Sequence, residues 1–328
     1  RRATVMPNYN GVWSLSTQYQ YVGDWPKPPT PNRAVFMGGN NSDNDSVNTI
    51  EYVSLASTGN AADFGDLTVA TARLGALSSS TRAVACGGVS GINTMCFITF
   101  NTLGNATDFG DLSANYSQTS ATSNSTRGII FAGYNGSSNT NIIEYITIAA
   151  TGNATDFGNL TQTQSSSQGL SSTTRAVRCG GFQRSMDYIT IASTGNATTF
   201  GDLTDRFGEG NEPGYLSSGN ISSGTRGIIA PVTRNTGTPV KQNWIEYIAI
   251  ATTGNSTDFG DLLQTVTNSP GAASNTTRGV VAGGTNTNRI NVINDITIAS
   301  TGNATDFGDL TVIKSFLSGA SASHGGIA

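Results

Sequence analysis

The sequence predicts an all-β fold, a six-bladed β-propeller of four-stranded blades closed by a C-terminal strand that joins the N-terminal blade. Three observations predict it. A segment of the form TGNATDFGDL occurs six times, each period carries the same further strand-like segments, and the repeat is entered and left at different strands. Self-similarity at this scale is the signature of a repeat architecture.

The segment stands at 58–67, 103–112, 151–160, 194–203, 253–262 and 301–310. Its phenylalanines are Phe64, Phe109, Phe157, Phe200, Phe259 and Phe307, spaced by 45, 48, 43, 59 and 48 residues. Propeller blades have periods of about 40 to 50 residues. This segment is strand d.

Strand b opens on Arg and usually ends in Gly, as in RAVFMGG (33–39), RAVACGG (82–88) and RGVVAGG (278–284). Its arginines are Arg33, Arg82, Arg127, Arg175, Arg226 and Arg278. Strand c reads IEYVSLAS (50–57), IEYITIAA (143–150) or IEYIAIAT (245–252), and strand a is the Ser- and Gly-rich stretch before the Arg, such as LGALSSST (74–81). Apolar spacing in strand c is close to two. Ile143 and Tyr145 lie on one face and Ile146 and Ile148 on the other, which suits a strand covered on both sides by neighbouring blades. No segment has the 3.6-residue period of a helical solenoid.

Closure follows from chain order. The repeat begins with strand b at Arg33 and ends with an a-like strand at 317–323, so that last strand completes the first blade and removes an open edge. The domain reading is an aromatic and Pro-rich anchoring arm at 1–32, holding Trp13 and Trp25, and a propeller at 33–328.

Composition narrows the function classes. Charged residues make up 12%, the net charge is −4, and the only lysines are Lys27, Lys241 and Lys314. No clustered cations offer themselves to phosphates, so nucleic acid is not an expected partner. No apolar run reaches the roughly 18 residues of a membrane span, and no secretory leader is visible where the chain opens on Arg1. Cys86, Cys96 and Cys179 are too few for a disulfide framework. Cys86 and Cys96 fall on neighbouring strands and invite a cross-strand disulfide, but three small buried thiols is the favoured reading.

The candidate sites were weighed against catalysis. The single histidine, His324, stands four residues from the end, which argues against both a His-based triad and a multi-histidine metal site. The carboxylate pairs Asp63/Asp66, Asp108/Asp111, Asp258/Asp261 and Asp306/Asp309 recur with the repeat, so they read as turn and capping residues. The six arginines form a ring that sets geometry, with the DFGD aspartates as expected partners and an anion-binding ring as the lesser alternative. Asp43, Asn44 and Asp45 lack the glycine and glutamate of a calcium loop. Neither catalytic residues, a metal nor a cofactor is expected.

Recognition is expected on one face. The a–b and c–d turns are nearly constant and share a face, whereas the b–c and d–a loops share the other and vary. The longest are TDRFGEGNEPGY (204–215) and TRNTGTPVKQNW (233–244), which adjoin. They supply Arg206, Phe207, Tyr215, Arg234 and Trp244 as candidate ligand-binding residues, because variable loops on a rigid scaffold commonly carry binding. The constant face suits symmetric packing, a homo-oligomer included.

With its Gly-Gly after strand b (Gly87-Gly88, Gly283-Gly284) and its Glu-Tyr strand c (Glu144-Tyr145, Glu246-Tyr247), the repeat resembles the kelch repeat, with Phe157 where that family usually has Trp. The ATDFGDL turns and the lead GVWSLSTQYQYVGDWP (11–26) resemble propeller proteins of tailed viruses of marine bacteria, cyanophages especially. That resemblance implies a non-enzymatic tail-fibre or appendage component on the virion surface, involved in host attachment. Its implied partners are other virion structural proteins, reached through the N-terminal arm, and a host surface glycan or protein. The alternative is an extracellular bacterial carbohydrate-binding propeller.

Overall fold

The computed structural model describes residues 32–89, 92–131, 133–181, 183–204, 214–215, 218–230, 233–235, 239–240 and 242–327. Pro31–Ala328 form one compact unit. The anchoring arm, with Trp13 and Trp25, lies outside the described residues. Among those residues there is no helix, and the fold is all-β and propeller-like.

The b strands are Arg33–Met37, Arg82–Cys86, Arg127–Phe131, Arg175–Cys179, Arg226–Ile229 and Arg278–Ala282. The c strands are Thr49–Ser54, Thr94–Thr99, Thr140–Thr147, Ser185–Thr190, Gln242–Ala249 and Ile290–Thr297. The d strands are Ala62–Asp66, Thr107–Asp111, Thr155–Gln164, Thr198–Asp202, Thr257–Val266 and Thr305–Lys314. The a strands are Gly75–Ser78, Ser120–Ser123, Gln168–Ser171, Ser218–Gly219, Gly271–Ser274 and Ser318–Ser321. We number the repeat units I to VI by their b strands.

Within a unit the order is a-b-c-d, antiparallel throughout, as in Gly75↔Cys86, Arg82↔Thr99 and Thr94↔Asp111. Unit I takes its a strand from the chain end: Ala34 pairs with Ser321 and Met37 with Ser318. Unit V departs from the pattern. Its a strand, Ser218–Gly219, pairs in parallel with Gly271–Ala272 and with Ser318, and meets its own b strand only through the bridge Ser222↔Gly227. Gly219 makes this close approach feasible, because a Cβ there would lie 1.8 Å from the Ala272 carbonyl oxygen. Ser218 reaches across to unit II, donating its hydroxyl to Leu74 O at 2.9 Å.

The apolar core is layered between successive sheets. Val35, Phe64 and Leu67 of unit I pack with Leu74, Ile98 and Phe100 of unit II. The same layer recurs between the following units, and the last joins Phe307 and Leu310 of unit VI to Phe36 and Leu55 of unit I. Ile146 and Ile148 fall in one layer and Ile143 and Tyr145 in the next, so strand c is apolar on both faces as its spacing predicts. The d-strand phenylalanines are buried, and Phe64 meets Tyr52 edge-on at 5.9 Å. A fully buried Phe contributes about 1.5–3 kcal/mol.

The constant turns are the seams between units. The Gly-Asn turn of each unit lies along strand d of the unit before it. Gly104 N donates to Phe64 O at 2.8 Å, Ala106 N to Asp66 O at 2.7 Å, and Asn105 Oδ1 accepts Asp66 N–H at 3.0 Å. The pattern repeats around the chain and closes when Gly59 N donates to Phe307 O at 2.8 Å and Asn60 Oδ1 accepts Asp309 N–H at 3.0 Å. The Asn-x-Thr triplets are therefore staples between units. The d-strand aspartates are not turn residues, as the sequence suggested. They lie within strands, and their main-chain atoms make the seam.

The arginines also act between units. Five of the six guanidinium groups stack on the strand-c aromatic of their own unit, 4.3 to 4.9 Å from the ring centre for Arg33, Arg82, Arg127, Arg175 and Arg226, and Arg278 lies 5.7 Å from the ring centre of Phe307 on strand d. Each then donates to the end of strand c in the next unit, as Arg127 does to Ile191 O at 2.7 Å and Arg278 to Leu55 O at 3.1 Å. Pairing with the DFGD aspartates does not occur. Only Arg278 meets a carboxylate, Asp295, at 3.1 Å, where strand c has Asp in place of Tyr.

Two outcomes test this account. Truncating residues 315–328 should abolish the cooperative unfolding transition, a loss comparable to the roughly 5–15 kcal/mol of a whole domain, whereas removing the exposed tip 135–138 should leave it in place. Calorimetry of both variants checks this. Second, a Cβ on Gly65 would sit 2.4 Å from Gly104 O, whereas Gly104 has nothing within 4 Å, and both have strained φ near +150° (+144° and +150°). Gly65→Ala should cost at least about 2 kcal/mol more than Gly104→Ala in urea titrations.

Candidate functional site

The two long insertions form an addition to the repeat. Gly214–Tyr215, Thr233–Asn235 and Pro239–Val240 make a small three-stranded sheet, with Tyr215 opposite Thr233, Gly214 opposite Arg234, and Arg234 opposite Val240. The segments the sequence placed side by side are thus hydrogen-bonded neighbours on the b–c and d–a face. Tyr215 and Arg234 occupy adjacent rungs of this ladder. Trp244 belongs instead to strand c of unit V, opposite Asp261, and is half-buried. Arg206 and Phe207 lie outside the described residues.

On the same face, a residue just before strand a takes the left-handed conformation in units I, II, III and IV, as do Asn268 and Ser269 in unit VI. Arg73, Gln118, Ser166 and Phe316 have φ of 57°. Their main chains link in series: Gln118 N donates to Arg73 O at 2.8 Å, and Arg73 N to Phe316 O at 2.9 Å. The Arg73 guanidinium lies 4.4 Å from the Phe316 ring centre. These main-chain bonds tie the starts of successive a strands to one another.

The axis itself is filled by hydroxyls. Ser78 Oγ donates to Ser321 O at 2.7 Å, Ser123 Oγ to Ser78 O at 2.5 Å, Ser171 Oγ to Ser123 O at 2.7 Å, and Ser321 Oγ to Ser274 O. Unit V interrupts the series. Ser222 Oγ is buried without a partner, and Asn220 Nδ2 donates to Ser171 Oγ at 2.8 Å instead.

His324, buried to 2% exposure, enters this gap. Its Nε2 is 3.2 Å from Ser123 Oγ, and its Nδ1 is 3.1 Å from Asn220 Nδ2. Ser, His and Asn in contact invite a nucleophilic reading, but the wiring runs backwards. Nδ1 accepts both Asn220 Nδ2–H and Gly326 N–H, the latter at 3.1 Å, so the imidazole proton sits on Nε2 facing the serine. Ser123 donates its own proton to Ser78 O. The imidazole has no free lone pair for it, and this trio is a structural plug.

Other titratable groups are also absorbed by the fold. Cys86, Cys96 and Cys179 are buried free thiols. Cys86 faces Met95 and Cys96 faces Ala85, so the two do not share a rung. Burial pushes all three thiols up, Cys179 to about 12. Two buried ion pairs escaped the sequence reading: Arg178 with Asp187 at 2.5 Å, and Lys314 with Glu51 at 2.8 Å. Among the described residues no group of His, Cys, Asp or Glu is arranged to hold a metal ion.

Burial holds the His324 imidazole down at about 4, against an ordinary value near 6.5. The folded state therefore favours neutral His324. Its contribution is complete above pH ~6.5 and is lost as pH falls through the window down to about 4, to a total of about 3 kcal/mol. Melting temperature should fall across that window, and His324→Gln should flatten the fall while lowering stability at pH 7.5. Thermal scans from pH 8 to 3.5 check this.

No protein-family model matches the chain, and no curated protein is significantly similar to it.

Proposed function

We propose that the chain is a six-bladed, kelch-like β-propeller that serves as a non-enzymatic recognition module, a tail-fibre or appendage component on the virion surface that takes part in host attachment. The carrying observation is the three-stranded insertion on the variable face of an otherwise monotonous scaffold. Repeated turns are consumed in joining units. The inserted segments are additional to the repeat, and their described strands pair with one another. Rigid scaffolds carrying divergent loops are suited to binding.

In this reading residues 1–32, with Trp13 and Trp25, dock to other virion proteins, and the variable face engages a host surface glycan or protein. The likeness of the ATDFGDL turns and the 11–26 lead to cyanophage propeller proteins supports the virion assignment. Nucleic acid is not a partner in it, given a net charge of −4 and no clustered cations, and no apolar run is long enough to span a membrane. A secreted bacterial carbohydrate-binding propeller would share the binding face but not the particle.

The test uses adsorption of the labelled protein to candidate host cells. Tyr215→Ala with Arg234→Ala should reduce adsorption at least about tenfold, in line with loss of an anchor pair, and shift melting by less than about 3 °C. Trp244→Ala should lower melting itself, because Trp244 belongs to a blade strand. Full adsorption by the Tyr215/Arg234 variant would exclude the insertion as the recognition element. Co-purification of the unmodified chain with virions, lost on deleting 1–32, tests the particle assignment.

A further inference from the structure

A recess on the variable face lies between units VI and I. It is a solvent-open cleft of about 430 Å³ lined by Ser42, Asn44, Thr285, Asn288, Arg289 and Ile313, among others. Ligand clefts have volumes of roughly 300–1,000 Å³. The cleft exists only because the chain ends meet. One wall is the b–c loop of unit I, the other the b–c loop of unit VI, and the floor is the end of the last d strand.

Its chemistry is specific. Arg289 is half-buried and held in place by neutral acceptors: Nε donates to Ser315 Oγ at 2.9 Å, Nη1 to Ser42 O at 3.3 Å and Nη2 to Asn44 Oδ1 at 2.5 Å. Among the described residues no carboxylate pairs with it, although Asp43 and Asp45 flank Asn44 on the same loop. A guanidinium has five N–H groups, so these bonds leave one on each terminal nitrogen. Two such donors side by side match the two oxygens of a carboxylate. Around them stand amides and hydroxyls, which both donate and accept, and the side chain of Ile313, 37% exposed, offers an apolar face. Vicinal hydroxyls with an apolar ring face complement such a lining.

We propose that this cleft binds a saccharide unit carrying one carboxylate, with Arg289 on the carboxylate and Asn44, Asn288 and Thr285 on the hydroxyls. The inference rests on reading the variable face as the recognition surface and names a ligand class for a part of it. The flanking Asp43 and Asp45 disfavour ligands of higher charge density, such as sulfate or phosphate.

Calorimetric titration with a galacturonate trisaccharide, the matching neutral galactose trisaccharide and inorganic phosphate tests this. The expected result is binding of the galacturonate alone, weakened about tenfold or more by Arg289→Gln and less by Arg289→Lys, which keeps charge but loses the fork. Asn288→Ala, at an exposed loop position that leaves the Arg289 bonds intact, should weaken binding with melting unchanged. Equal affinity for the neutral sugar, equal affinity for phosphate, or no effect of both Arg289→Gln and Asn288→Ala would overturn the proposal. So would absence of binding to all three ligands. Cell adsorption sensitive to Tyr215→Ala with Arg234→Ala would then leave the recognition-module reading standing.

Discussion

The contact on which the rest depends is the Gly-Asn turn of one unit laid along the Phe-Gly-Asp strand of the unit before it. It uses two main-chain hydrogen bonds and one from an asparagine side chain, and the glycine at its centre brings two main chains within 2.3 to 2.6 Å of where a Cβ would stand. Because both halves of the contact occur in every unit, each seam has the same geometry. The same contact also joins the last unit to the first. The seam from Phe307 to Gly59 has the same 2.8 Å bond as the seam from Phe64 to Gly104.

Other side chains reinforce the same junction from different depths. At the rim, each arginine spans from an aromatic ring of its own unit, on strand c in five units and Phe307 of strand d for Arg278, to the next unit. Midway, the glutamate of strand c reaches back to the preceding d strand: Glu144 Oε1 accepts Ser113 N–H at 3.0 Å, and Glu51 Oε1 accepts Thr311 N–H at 2.8 Å. At the axis the strand-a serines connect the units in series. Burial of the aromatic layer outweighs any one polar link. The polar links fix register, because a carbonyl or carboxylate buried without its partner would cost about 1–3 kcal/mol.

The seam that joins the chain ends is built differently. Lys314 sits where other units have Thr71, Tyr116, Gln164 or Val266, all buried, and it pairs with Glu51 and donates to Thr49 Oγ1 at 2.5 Å. A buried ion pair is weak evidence for stability but good evidence for a unique pairing. Here the pair is found only at the junction where the chain must find its own beginning. Other departures from repetition lie elsewhere: the shortened strand and the unpartnered Ser222 hydroxyl belong to unit V, and at the axis His324, from the chain end, meets Ser123 of unit III and Asn220 of unit V.

What the sequence determined by itself was whatever repeats: the strand order, the layering of Phe and Ile on both faces of strand c, the strand exchange at the chain ends, and the adjacency of the two long loops. Repetition makes these legible, since six copies of a local pattern admit few common geometries. The tertiary structure decided what each repeated polar residue touches. Arg127 finds a carbonyl of Ile191 rather than an aspartate, and Asn105 accepts the N–H of Asp66 in the unit before it. Those partners lie 39 to 64 residues away and are main-chain atoms, which carry no mark in a sequence. The reversed wiring of His324 and the cleft around Arg289 were hidden for the same reason, because both are assembled from residues that only the closing of the ring brings together.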